Sequence, residues 1–179
     1  MLPFPIRKQF RERHPEMAEK FSIRVSKDYF LFCCAHFITF DGDECERLHG
    51  HNYRIAVEVE GPLDANHYIF DFVALKRRTQ SIVDELDHRM LLAMENPLLP
   101  VTEQGSNFAV KFREKTWSFP KEDCICLPIG NTTTELLAKW FAGRLTEVLE
   151  QQYRFTPTLL RVELEEATGQ SAAYSRRAD

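Results

Sequence analysis

Apolar residues recur on alternate positions in three stretches of this chain and at helical intervals in two others. Phe30, Phe32, Cys34, His36, Ile38 and Phe40 share one parity in a β-prone run. His51, Tyr53, Ile55, Val57 and Val59 share another, while Asn52, Arg54, Glu58 and Glu60 take the opposite side. Leu160, Val162 and Leu164 alternate with Arg161, Glu163 and Glu165, and Glu166 falls on the apolar side. A period of two is that of a strand with one buried face. A weaker alternation covers Phe21 to Lys27. Phe72, Leu75, Thr79, Ile82, Val83 and Leu86 follow the helical period behind Asp71, which can cap the first turn, and the helix ends near Asp87-His88. Leu136, Leu137, Trp140, Phe141, Leu145, Val148 and Leu149 form a second helical stripe. Thr132 and Glu135 precede it at capping-box spacing. Between the helices, Pro97 and Pro100 mark an irregular connection, and Phe108–Phe112 is predicted to pair with Cys124–Leu127 as a hairpin. The order is strand, strand, helix, hairpin, helix, strand, which predicts an α+β fold. A single domain is expected over residues 21–179, after an arm over 1–20 and with an insertion over about 93–130.

Composition narrows this. With 179 residues, 44% hydrophobic and 28% charged, the chain can bury one ordinary core. A net charge of −4 argues against a general nucleic-acid binder. No apolar stretch approaches a membrane span. The N-terminal residues lack the order of a secretory signal. Five cysteines without framework spacing fit free thiols in a reducing, cytoplasmic setting.

The chemistry concentrates in Cys45-Glu46-Arg47-Leu48-His49-Gly50-His51. Residues two apart on a strand point the same way. His49 and His51 therefore both face inward, and His36 lies on the inward parity of its own strand. Three neutral imidazoles suit Zn²⁺ and leave its fourth position open, as in a catalytic site. Cys45 is a further ligand, a proton-transfer thiol or a plain cysteine, and Glu46 beside it is a second candidate base or a solvated carboxylate. Asp87-His88 is a polar helix end or an Asp that orients a proton-shuttling His. Glu166 on its apolar face needs a partner. A ligand with two parallel N–H donors, such as the edge of a pterin or guanine, would supply one, unless the side chain reaches solvent.

These residues resemble the 6-pyruvoyl-tetrahydropterin synthase / 6-carboxytetrahydropterin synthase family. The resemblance rests on Ala35-His36, Cys45 through Tyr53, Asp71-Phe72 with Leu75-Lys76, Leu86-Asp87-His88, Thr133-Thr134-Glu135, and Val162 through Glu166 with Tyr174 beyond. It implies the tunnelling fold, an antiparallel sheet backed by two helices. Subunits would close into a barrel as trimers, stack as a hexamer, and form active sites at their interfaces. It further implies zinc on His36, His49 and His51, proton transfer by Cys45, Asp87 and His88, and a pterin anchored by Glu166 with Thr133 and Glu135 nearby. The substrate implied is 7,8-dihydroneopterin triphosphate; Lys76, Arg77, Arg78, Arg47 and Arg54 are all available for its phosphates.

The spacing of Cys45 and His49 looks like that of the bacterial 6-carboxytetrahydropterin synthases of the queuosine pathway. Glu46 stands where a folate-pathway subtype carries its base. The leading expectation is therefore a zinc-dependent lyase giving 6-carboxy-5,6,7,8-tetrahydropterin, acetaldehyde and triphosphate. The alternatives are 6-pyruvoyl-tetrahydropterin or 6-hydroxymethyl-dihydropterin formation, or, in another class, a non-catalytic zinc- or pterin-binding protein. The chain departs from the family pattern at Leu136, at Ala167 and in the long segment over about 93–130.

Overall fold

The computed structural model describes residues 19–178; most of the expected N-terminal arm lies outside them. The chain folds as β1 (Ser22–His36), β2 (Thr39–Phe40), β3 (Glu44–Cys45), β4 (His49–Glu60), α1 (Phe72–Leu86), β5 (Arg89–Ala93), β6 (Val101–Gln104), β7 (Asn107–Phe112), β8 (Lys115–Pro120), β9 (Cys124–Leu127), α2 (Thr134–Tyr153), β10 (Leu159–Ala167) and β11 (Gln170–Arg177). Six strands form one sheet in the order β11-β10-β4-β1-β5-β9. Its β11, β10, β4 and β1 pairings are antiparallel, and β5 and β9 add a parallel edge. This is an α+β fold with a sheet backed by two helices, as the patterning predicts.

The two runs read as separate alternations before and after Lys27 are one strand. The β1–β4 register slips between Ser26 and Leu31. Val25 is buried on odd parity and Phe30 and Phe32 on even parity. A bulge that inserts extra residues moves the apolar set from one parity to the other without changing the face that meets the core.

The main core lies between the sheet and the helices. Phe32, Tyr53 and Val57 meet Leu75, Leu86, Phe141 and Leu145 there, all essentially inaccessible. Each such large side chain contributes about 1.5–3 kcal/mol on burial. Asp71 caps α1 as expected: its Oδ1 accepts the Ala74 N–H at 2.6 Å. Asp71→Ala should cost about 1 kcal/mol, read as a lower denaturation midpoint with an unchanged slope.

Three elements differ from the sequence-based expectation. The capping box on α2 does not form, because Thr133 is the N-cap and makes no side-chain cap bond. Thr132 instead donates its hydroxyl to the Phe37 carbonyl. The hairpin over Phe108–Phe112 pairs with β6 and β8 in a separate three-stranded sheet, not with Cys124–Leu127. Arg113, in the left-handed region at φ 50°, turns the chain back at once, so Trp117 and Phe119 reach Val110 and Phe108 first. Cys124–Leu127 becomes β9, parallel to β5 at the edge of the main sheet. β5 itself has apolar residues on both faces. Leu91 and Ala93 enter the main core, while Met90 and Leu92 enter a second one under the inserted sheet. A strand buried on both sides shows a continuous apolar run and no alternation. Among the described residues, no helix is long and apolar enough to cross a membrane.

Candidate metal centre

The β1–β4 ladder sets His36 opposite His49 and Cys34 opposite His51. The His-Gly-His spacing turns His49 and His51 to one face, and His36 leans in from the neighbouring strand. Ring centroids lie 4.8 Å apart for His36–His49, 5.3 Å for His36–His51 and 4.7 Å for His49–His51. One ligand nitrogen from each falls within 4.8 Å of the others. The central Gly50 is required by close approach: a Cβ there would sit 2.9 Å from the Cys34 carbonyl oxygen. Gly50→Ala must push β4 away from β1 between two ligands. We expect zinc affinity to fall at least tenfold, about the loss from disturbing an outer partner of a metal ligand, measured by competition with a chromophoric chelator.

The nitrogens are assigned by their partners. His36 Nδ1 lies 3.1 Å from the Thr132 carbonyl oxygen, and His49 Nδ1 lies 2.8 Å from that of Arg47. A carbonyl can only accept, so each Nδ1 carries its proton and each Nε2 keeps its lone pair. Burial lowers the pKa of His36, and His49 and His51 add to this, outweighing the Thr132 contact and the Glu166 carboxylate. The ring is therefore neutral. It is 2% exposed, and its Nε2 is buried without a hydrogen-bond partner. An orphaned buried acceptor beside two further imidazoles is what a divalent ion would satisfy, and a three-nitrogen donor set fits zinc.

Glu166 comes from β10 over the same centre. Its Oε1 is 3.2 Å from His51 Nε2, 3.9 Å from His36 Nε2, and accepts the Tyr53 hydroxyl at 3.0 Å. Tyr53 is fully buried, and burial raises its pKa well above the usual phenol value, so it remains a donor. Tyr53 thus answers the question posed by a carboxylate on an apolar strand face. These groups open on a cavity of about 600 Å³, also lined by Glu46, Thr133, Thr134 and Glu135.

Cys45 and Glu46 diverge. The Glu46 side chain lines the cavity, with Oε2 3.8 Å from His49 Nε2. Cys45 turns the other way, packs on the second core, and donates its thiol to the Glu46 carbonyl at 3.4 Å. Burial pushes that thiol up, against the pull of Lys115. Asp87 and His88 form the expected pair, with Asp87 Oδ2 2.9 Å from His88 Nδ1. Asp87 Oδ1 also accepts the Cys33 N–H at 2.8 Å. Burial works to raise the Asp87 carboxyl, but the Cys33 N–H and His88 together hold it below the usual carboxylate range. The pair does not line the cavity within one chain, and the His88 side chain is 82% exposed. His88 also sits in the left-handed region at φ 57°, a conformation that costs energy for a side chain of this kind.

The fold therefore gathers His36, His49, His51, Glu46, Glu166, Thr133 and Glu135, and leaves Cys45, Asp87 and His88 outside the cavity of the single chain. Sequence reasoning missed Thr132 as the orienting carbonyl and Tyr53 as the Glu166 partner. Tyr53 was detectable, since it shares the inward parity of His51. Thr132, 96 residues from His36, left no local signal.

A family model described as 6-pyruvoyl tetrahydropterin synthase matches residues 24–177. The chain belongs to this family. A putative 6-carboxy-5,6,7,8-tetrahydropterin synthase of Methanocaldococcus jannaschii is 32% identical over 146 residues, 81% of this chain and 89% of that protein. A dihydroneopterin monophosphate aldolase of Pyrococcus furiosus is 42% identical over 67 residues, 37% of this chain and 56% of that protein. The solved 6-pyruvoyltetrahydropterin synthase of Plasmodium vivax, in a form whose catalytic glutamate is replaced by alanine, is 29% identical with a TM-score of 0.83. It covers 90% of this chain and 100% of that one. The matched residues include His36, His49, His51, Glu46 and Glu166.

Proposed function

We propose that the protein is a zinc-dependent lyase of dihydropterin side chains, with Glu46 as its base and 6-hydroxymethyl-dihydropterin as its main product from 7,8-dihydroneopterin triphosphate. The observation that carries this reading is the divergence of Cys45 and Glu46: of the two neighbours, only the carboxylate meets the cavity. The catalytic glutamate in the Plasmodium vivax relative and the aldolase from Pyrococcus furiosus point the same way. Family members described as 6-carboxy-5,6,7,8-tetrahydropterin synthases support the carboxy product as the second reading.

Glu166 would accept two N–H groups from the pterin edge, with Tyr53 fixing its orientation. Thr133 and Glu135 would border the ring. Bound zinc would supply Lewis acidity toward the side-chain oxygens. Glu46 would take the proton from the hydroxyl on the second side-chain carbon. The bond between the first and second side-chain carbons then breaks, and its electron pair enters the ring imine. Returning the proton to the first carbon leaves a hydroxymethyl group, and an aldehyde departs with the phosphates. The Asp87–His88 pair would serve from a neighbouring subunit in a trimer or hexamer.

The test is incubation of the zinc-loaded protein with 7,8-dihydroneopterin triphosphate and mass-spectrometric identification of every product. We expect 6-hydroxymethyl-dihydropterin. Predominant 6-carboxy-5,6,7,8-tetrahydropterin with acetaldehyde would return the assignment to the carboxy reading, and retained zinc with no turnover would make the protein a binder.

A further inference from the structure

Glu46 follows a hairpin too small to hold itself. β2 and β3 have two residues each and pair only as Thr39 with Cys45 and Phe40 with Glu44. Asp41 and Gly42 in the turn between them both have positive φ. Even a full isolated hairpin is marginal in water, so this one needs outside support. On the β2 side, Asn131 clamps Thr39: its Nδ2 donates to the Thr39 carbonyl at 2.8 Å, and its Oδ1 accepts the Thr39 N–H at 3.3 Å. The β3 side, which leads directly to Glu46, is held by the inserted β6–β8 sheet. Arg113 at its tip donates to the Asp43 carbonyl at 2.9 Å and to Asp43 Oδ2 at 2.7 Å. Trp117 stacks on Phe37 with centroids 4.8 Å apart and planes at 27°. Phe37 is buried, and the next residue, Ile38, accepts the Glu46 N–H at 2.9 Å. The Cys45 side chain packs into the same apolar cluster.

We propose that the inserted β6–β8 sheet is the positioning element for the base, with Trp117 and Arg113 as positioning residues that hold the β2–β3 hairpin so that the Glu46 side chain faces the metal centre. This rests on the reading of Glu46 as the base. None of the β6–β8 residues lines the cavity, so the sheet acts through the hairpin and not on the substrate. A misplacement of about 1 Å in a reacting group can cost on the order of 100-fold in rate. That makes a remote contact of this kind worth keeping.

The test combines kinetics with hydrogen exchange. Trp117→Ala should lower kcat at least about tenfold, with KM within about twofold and zinc content unchanged. Trp117→Phe, which keeps an aromatic face on Phe37, should recover most of that loss. In a Glu46→Gln background, Trp117→Ala should have no further effect, because the two residues act as one unit. In zinc-free protein, the Glu46 amide should exchange faster in Trp117→Ala while the Val57 amide on β4 is unchanged. If Val57 exchange also rises, the core has loosened, and the exposed Arg113→Ala variant decides. It should speed Glu46 exchange alone and lower kcat by less than Trp117→Ala does, since an exposed ion pair holds its partner weakly. Equal losses in both Glu46 backgrounds, or unaltered Glu46 exchange in a folded variant, would overturn the proposal. Full turnover by Glu46→Gln alone would remove the base assignment, leaving the exchange data to judge the sheet.

Discussion

Glu46→Gln should lower kcat by about 10²–10⁴-fold, the range spanned by positioned general acid–base groups, while zinc content stays at that of the parent. Glutamine keeps the size and polarity of the side chain and removes its charge and its ability to take a proton. Cys45→Ala, one residue away, should lower kcat far less, because the thiol does not meet the cavity and its loss should leave the Trp117–Phe37 stack and the Glu46–Ile38 hydrogen bond in place. Its cost should appear in stability, because its side chain packs against the second core. The contrast is sharp because the two side chains leave the backbone on opposite sides. One reaches to within 3.8 Å of His49 and the other bonds back to a main-chain carbonyl. Steady-state turnover with product detection measures both. The opposite ranking would move the proton-transfer role to the thiol.

His36→Ala should abolish zinc retention, with affinity down at least about 100-fold, the upper end of what losing an outer partner costs. Of the three imidazoles His36 is the most deeply placed, and its Nδ1 is already committed to Thr132. Its Nε2 has no partner in the protein. A buried unsatisfied group costs about 1–3 kcal/mol, so metal binding should stabilise the fold visibly. Zinc at about 100 times its Kd would add about 2.7 kcal/mol, and the melting temperature should rise accordingly. In His36→Ala that response should disappear. Acid should matter too. Burial holds the folded His36 below its ordinary pKa, so the unfolded chain binds a proton that the folded one refuses. The stability of the metal-free protein should therefore fall as pH drops below about 6.5, and this slope should be shallower in His36→Ala. Thermal melts across that range with and without zinc check both statements.

The histidine cluster is legible because its signal is local. His49 and His51 are two apart on a strand with clear parity, and His36 ends the other strong alternation. The helices were legible for the same reason, with Asp71 at the start of one. What escaped depended on distant partners. β5 hid because both its faces are buried. Cys124–Leu127 looked like half of a hairpin, because nothing in its own sequence names β5 as its neighbour. Thr132 carried the chemistry of a cap and was drawn instead to Phe37 and His36. The directions of Cys45 and Glu46 could not be read from spacing, since a turn with positive φ at Asp41 and Gly42 breaks the strand parity just before them. Asp87-His88 was legible as a pair, but its place relative to the cavity is a matter of tertiary packing.

The most direct test of the central claim is X-ray absorption at the zinc edge on the loaded, full-length protein. Three imidazoles with an open position predict a shell of only nitrogen and oxygen atoms at about 2.0 Å, including three imidazole rings. A sulfur shell at about 2.3 Å would make Cys45 a ligand and contradict this account.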